Sequence, residues 1–516
     1  MLLISVFVFI TVSVLYLVIC EILRIRRLYR KTADIPGPLN YPLIGSGYIF
    51  LGSNTYLFNN FLELMKFYGS PTRISFGPRM WVFIKNPEQI KTVLRNNNTV
   101  EKDNIYHILK LGLGKGLVTS EHKIWRVHRK ILQPTLSTQI VKSFMSIFQK
   151  NALLLTEAVE TNIECQEFEL SPYILKTNFL NTLESVLGLS LESESSNNVD
   201  NYLNNINRLM VLAFERIKKV WLHAHITFLI SPMGMTAMKC LKHINNYTDN
   251  LIEKKRKHMQ NTSVDYYEDT SVKKVKPTLE FMIQLADNES KFSKDELREH
   301  ALTFITGSYD TSTRALGFIF LMLASHPDVQ NRVYEEIFNI YGDDNVECNP
   351  VQYEDLQKLI YLERVIKETL RLFPSLPLIG REATEDFDLD GYLIPKHCGI
   401  VVNIFALHRD EKIWPNPLKF DPDRFLPDAI NQQHPCDYIP FSYGSRNCIG
   451  RVYGMMSMKI IIVTFLRKYI VKKDNILPVE DIKVQMDILL QSTDPIKVRI
   501  EKREKFVNKE ICQTYL

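Results

Sequence analysis

No two cysteines in this 516-residue sequence form a Cys-x-x-Cys pair. The eight that occur, Cys20, Cys165, Cys240, Cys348, Cys398, Cys436, Cys448 and Cys512, are scattered. That spacing excludes a small disulfide scaffold and favours a reducing compartment. An excess of one sign of charge is also lacking: 63 Lys and Arg stand against 58 Asp and Glu, a formal net charge of +5. No basic stripe is interleaved with aromatics, which argues against nucleic acid as a partner. No internal repeat is present, and no low-complexity linker divides the body. Hydrophobic residues make up 45% of the chain, enough for a large core.

Residues 2–20 lack charge altogether. Nineteen such residues span roughly 28 Å as a helix, close to the hydrocarbon thickness of a bilayer. Arg24, Arg26, Arg27, Arg30 and Lys31 follow, which predicts a cytosolic body. A basic stretch before the apolar run and small residues at a cut site are both missing, against a cleaved signal peptide. The expected organisation is a transmembrane anchor over 2–23, a basic linker over 24–35 and one domain over 36–516. Ile35-Pro36-Gly37-Pro38 should end the anchor helix. The sequons at Asn97, Asn246, Asn261 and Asn288 should then stay unmodified.

The body reads as mainly α with small β-sheets. Residues 120–330 read mostly helical, with a charged surface loop over 253–278. Strand signals occupy 72–86 and the segment around Asp390-Gly391. Ser293-Lys-Asp-Glu296 fits a capping box, and nothing breaks the following helix before His326-Pro327. Such a helix would be roughly 48 Å long and cross the whole body. A second helix is expected over 355–372, stopping at Phe373-Pro374.

Cys448 stands in Phe441-Ser-Tyr-Gly444-Ser-Arg446-Asn-Cys448-Ile-Gly450. Half of a disulfide, a buried inert thiol and a metal ligand are the three readings of its sulfur. The scatter of the cysteines weakens the first. The pattern F-x-x-G-x-R-x-C-x-G, with a chance frequency on the order of 10⁻⁴ in a chain this long, favours the third. It resembles the haem-binding loop of cytochrome P450. Backbone N–H groups and a helix N-terminus beside the sulfur suit an iron-ligating thiolate.

Other elements follow the family in order and spacing over roughly residues 35–500. Glu368-Thr-Leu-Arg371 is similar to its E-x-x-R pair, and Arg424 matches the third member of that structural triad. Trp125 and Arg129 look like its W-x-x-x-R element, and Arg381 matches another propionate-binding arginine. Gly307-Ser-Tyr-Asp310-Thr311 resembles its [A/G]-G-x-[D/E]-T motif, whose acid and threonine relay protons to bound dioxygen.

The resemblance implies the cytochrome P450 fold, with a long central helix over the haem. It implies a monooxygenase that inserts one oxygen atom into a hydrophobic lipid, terpenoid or xenobiotic. Cys448 would be the axial iron ligand, with Arg446, Trp125, Arg129, Arg381, Phe441 and Gly450 around the haem and Asp310 and Thr311 in catalysis. Electrons would come from NADPH through cytochrome P450 reductase, with cytochrome b5 as a second donor, at the endoplasmic reticulum membrane. Arg129, Lys130 and Lys459 are candidate docking charges. Substrate contacts are expected from 103–120, Phe304–Ser308, Ser375–Ile379 and Leu489–Gln491.

The stretch Glu368–Arg381 is similar to the insect members of the family 4 clan. Many in that clan ester-link the haem through a glutamate three residues before the aspartate. Gly307 stands there, so haem b is expected to be non-covalent. Ser308 replaces the motif's second glycine, where it would narrow the oxygen pocket or make a hydrogen bond of its own. A peroxide-rearranging P450 and a haem protein without turnover are the alternatives. Asp310 and Thr311 oppose the first, and only Ser308 supports the second.

Overall fold

The structure is a computed structural model of the chain. It describes residues 2–503 apart from 42–43, 78, 164–165, 191–195, 263–275, 343–345 and 347.

The long helix runs Lys294–Ser325. The Ser293 hydroxyl accepts the Glu296 N–H at 3.2 Å, and the Glu296 carboxylate accepts the Ser293 N–H at 2.9 Å. This reciprocal cap satisfies two of the N–H groups that a helix start leaves unpaired. Pro327 follows His326 at the other end, where it cannot continue the ladder. From Ala315 to Ser325 every side chain is buried. The Ser171–Asn181, Ile360–Leu372 and Arg451–Lys468 helices pack around this segment.

Ile360–Leu372 is shorter than the sequence predicts. The expected 355–372 helix breaks at Leu359 (ψ 67°) into Tyr353–Lys358 and Ile360–Leu372. The cause is tertiary. Glu336, from a neighbouring helix, accepts the N–H groups of Tyr361 at 2.7 Å and Leu362 at 2.9 Å, capping a new helix start.

Beside the helices lies a four-stranded sheet in the order Thr72–Phe76, Arg79–Ile84, Gly399–Asn403, Leu378–Glu382. Its inner residues Val82, Ile84, Ile400 and Val402 form a second core. The Phe387–Leu389 and Tyr392–Ile394 strands turn at Asp390 and Gly391, whose φ values of 54° and 84° suit a tight hairpin.

Two boundaries move. The basic stretch expected as a linker continues the N-terminal helix, which spans Leu2–Lys31. The charged stretch expected as a loop from 253 is helical through Thr262, in the Pro232–Thr262 helix, and 263–275 lie outside the described residues. Among the described residues no helix is long and apolar enough to cross a membrane.

Candidate active site

The cysteine loop leads into the Arg451–Lys468 helix, with Gly450 as its N-cap. The Cys448 N–H donates to the Phe441 carbonyl at 2.9 Å, closing the loop. Gly444 has φ 75°, and a Cβ there would meet the Leu94 carbonyl oxygen at 2.1 Å, so no other residue fits. Cys448 is surrounded by protein yet accessible, because it faces a cavity. Burial pushes its thiol up, while the Gly450 N–H and the charges of Arg129 and Arg451 pull it down. Burial prevails, and a bound metal would reverse that rise by favouring the thiolate.

Trp125 and Arg129 lie on the His122–Leu132 helix. Arg129 grips the cysteine loop: it donates to the Asn447 carbonyl and to Asn447 Oδ1, both at 3.0 Å. Trp125 is buried beneath Arg446, whose guanidinium carbon sits 4.5 Å from the ring centroid. Both terminal nitrogens of Arg446 donate to the Ser120 carbonyl at 3.0 Å, and its Nε is buried without a hydrogen-bond partner. Arg381, on the sheet strand Leu378–Glu382, is buried at the same cavity.

A third cation stands with Arg381 and Arg446. Burial, Arg381 and Arg446 together hold Lys102 well below the lysine range. Arg446 is pushed down to about 10 by burial and Arg381. Cations crowded into an apolar cavity are stabilised by an anion. The two carboxylates of a flat apolar ring such as haem would answer these groups, and the Cys448 sulfur opens onto the same cavity. The residues present therefore fit the cofactor. Lys102 was not singled out from the sequence, and no motif marks it.

Across the cavity lies the long helix. Thr311 donates its hydroxyl to the Gly307 carbonyl at 2.8 Å. Asp310 accepts from Arg314 Nε at 3.2 Å. Ser308 is occupied elsewhere: its hydroxyl donates to the Phe304 carbonyl at 2.6 Å and lies 2.8 Å from the Thr182 hydroxyl. A Cβ built at Gly307 meets nothing within 4 Å.

The expected substrate segments reach this cavity through Ile105, Leu113, Phe304, Leu376, Ile379 and Leu489 among others, but Gln491, expected with Leu489, lines a separate cavity instead. Sequence reasoning missed an aromatic wall of Phe50, Phe61, Trp81 and Phe83, contributed by the N-terminal third. Phe50 and Phe61 meet edge to face, and Phe61 stacks on Phe83.

Behind the loop, Arg371 makes both contacts to Glu368, at 2.7 and 2.8 Å, with neither side chain exposed. Arg424 approaches Glu368 at 3.5 Å and donates to the Asn416 carbonyl. Lys459 is not a docking charge. It is buried, donating to the Leu356 carbonyl and to Glu363, each at 2.8 Å.

The family profile of cytochrome P450 matches residues 35–500. Cytochrome P450 4c21 of Blattella germanica is 32% identical over 97% of this chain and 99% of its own length. Cytochrome P450 4V2 of Homo sapiens is 31% identical over 90% of this chain and 88% of its own. The solved cytochrome P450DA heme domain shares the fold, with TM-score 0.75 at 21% identity, over 91% of this chain and 98% of that one. A family-wide match over most of the chain, joined to relatives from family 4, makes this chain a cytochrome P450 monooxygenase, a member of a haem-dependent oxidoreductase family.

Proposed function

We propose that the protein is a membrane-anchored haem-thiolate monooxygenase acting on a hydrophobic small molecule. One turnover converts RH, O2, two electrons and two protons into ROH and water. The observation that carries this reading is the cavity itself. Cys448 lies in its floor, Asp310 and Thr311 line the long-helix wall, and most of its remaining lining is apolar.

Cys448 would hold the iron of haem b through its sulfur. Arg446, Arg381 and Lys102 are assigned to the propionates, with Trp125 backing Arg446. Arg129, Phe441 and Gly450 shape the cysteine loop. Bound haem supplies oxygen activation, favoured by electron donation from a thiolate. The chain's own part is to hold the sulfur, exclude water with the aromatic wall and bring protons past Asp310 and the Thr311 hydroxyl. Glu368, Arg371 and Arg424 hold the segment behind the loop.

Residues 2–23 are assigned as the anchor and 24–35 as the basic stretch after it. The haem domain is assigned to 36–516, of which 504–516 lie outside the described residues. The charge-free run 2–20 and the basic flank after it support a single span in the endoplasmic reticulum membrane, with the body cytosolic. Lipids, terpenoids and apolar xenobiotics would reach such a site from the bilayer. Electrons are assigned to NADPH through a diflavin reductase, with cytochrome b5 as second donor.

Reconstitution with that reductase tests the reading. A panel of lipids and xenobiotics is screened by spin-state shift, and each hit is assayed for product per NADPH consumed. Product coupled to NADPH supports monooxygenation. Turnover of a hydroperoxide without NADPH, or binding without either, would contradict it.

A further inference from the structure

A second cavity, of about 1000 Å³, borders the long helix at Asp310, Thr313, Arg314, Gly317 and Phe318. The Ser171–Asn181 helix and the residues from Gln491 to Ile496 also bound it. Its rim includes the exposed residues Asn204 and Asp494, so water has access. Among the described residues, Asp310 alone lines both this cavity and the one that holds Cys448.

Asp310 is held at that junction by a continuous chain of side chains. Arg314, one turn further along the same helix, donates from Nε to Asp310 Oδ1 at 3.2 Å. Its Nη1 donates to Gln491 Oε1. Gln491 Nε2 donates to Asp487 Oδ2 at 2.9 Å, and Asp487 Oδ1 accepts from Asn54 Nδ2 at 2.5 Å. Asp487 lines the cysteine cavity, whereas Arg314 and Gln491 line the second. The chain thus straps the Asp310 carboxylate to the turn between the Val484–Met486 and Leu490–Ser492 strands.

We infer that the second cavity is the water reservoir from which protons reach Asp310, and that Arg314 and Gln491 are positioning residues keeping the carboxylate open to it. The inference rests on the monooxygenase reading. Each turnover consumes two protons, and the oxygen atom not inserted leaves as water. The electrons come from the NADPH-reduced flavoprotein. The Cys448 cavity is mostly apolar, a poor source of protons, while the second cavity has a polar, solvent-reaching rim. Arg314 holds Asp310 from the second cavity and does not line the one that holds Cys448.

The holoenzyme variants Arg314→Met, Arg314→Lys and Gln491→Leu test this. Arg314→Met should lower product per NADPH by about tenfold, below the roughly 10²-fold that losing an acid itself costs. Hydrogen peroxide should rise in step, and the solvent deuterium isotope effect on product formation should increase. Arg314→Lys, which still reaches the carboxylate at i, i+4, should recover most of the coupling. Gln491→Leu should fall between them, and decides the matter if Arg314→Met does not load haem. A crystal structure of the holoenzyme should show ordered water running from the rim to Asp310. Native coupling in both Arg314→Met and Gln491→Leu, or an Asp310 reached by water only from the Cys448 side, would overturn the inference. Thr311→Ala is assayed in parallel. If it too stays coupled, the acid–threonine reading fails; if it releases peroxide while the other variants do not, only the reservoir fails.

Discussion

Glu368 and Arg371 face each other one helical turn apart, with two charge-assisted contacts of 2.7 and 2.8 Å and no solvent exposure on either side chain. Further hydrogen bonds hold the pair in place. Arg371 Nη1 donates to the His408 carbonyl at 2.7 Å, and the Asp421 N–H donates to Glu368 at 2.9 Å. The pair therefore ties its helix to two segments upstream of the cysteine loop.

Removing one partner leaves the other charge buried and unpaired, a cost of roughly 3–5 kcal/mol. Glu368→Ala should accumulate as haem-poor, misfolded protein, and Glu368→Gln should lose less. The haem-to-chain ratio of purified material checks this. A fully loaded Glu368→Ala protein would remove the structural role.

Lys102 is crowded by Arg381 and Arg446, an arrangement that an anion relieves. A charge-assisted contact to a propionate is worth about 1.5–3 kcal/mol. Lys102→Leu should thus release haem about tenfold faster or more in transfer to an apo-globin acceptor. An unchanged rate would take Lys102 out of the cofactor site.

His300 and His128 share a hydrogen bond of 2.8 Å between the long helix and the helix bearing Trp125. Burial and the neighbouring His128 push His300 down to about 3, against 6.5 for the free side chain. The sign follows from linkage. Above pH 6.5 both folded and unfolded states keep this ring neutral, and it contributes no slope. As pH falls from 6.5 toward 3, the unfolded chain binds a proton that the folded one refuses, so stability is lost. The loss is about 1.4 kcal/mol per pH unit. Urea unfolding at several pH values in this window should show a shallower dependence for His300→Gln than for the native protein. Equal slopes would contradict it.

At Gly307 a side chain has open space ahead of it. Native haem should extract completely into acidified organic solvent. Gly307→Glu restores the carboxylate that resembles the clan's, and after turnover should retain haem on the peptide containing residue 307. Mass spectrometry of the digested protein reads both outcomes. Native haem that resists extraction would overturn the non-covalent assignment.

What the sequence revealed depended on how local each signal was. The long helix is written in Ser293, Glu296 and Pro327, and the structure follows it from Lys294 to Ser325. The cysteine loop is also local, because its glycines and closing hydrogen bond lie within ten residues. The break at Leu359 was hidden because its cap, Glu336, comes from another helix. Lys459 reads as a surface charge by residue type, yet the Arg451–Lys468 helix is buried nearly all round and its ammonium pairs with Glu363. The arginines carried motif neighbours, whereas Lys102 is defined only by what converges on it in space. Ser308 was expected either to crowd the oxygen pocket or to make its own hydrogen bond, and its contacts with Phe304 and Thr182 are of the second kind.

The most direct test is the absorption spectrum of the reduced carbon monoxide adduct, recorded for the native protein and for Cys448→His. Thiolate ligation through residue 448 predicts the red-shifted Soret band in the native protein and its loss in Cys448→His, with haem still bound. A native protein without that band, or a Cys448→His protein that keeps it, would contradict the assignment.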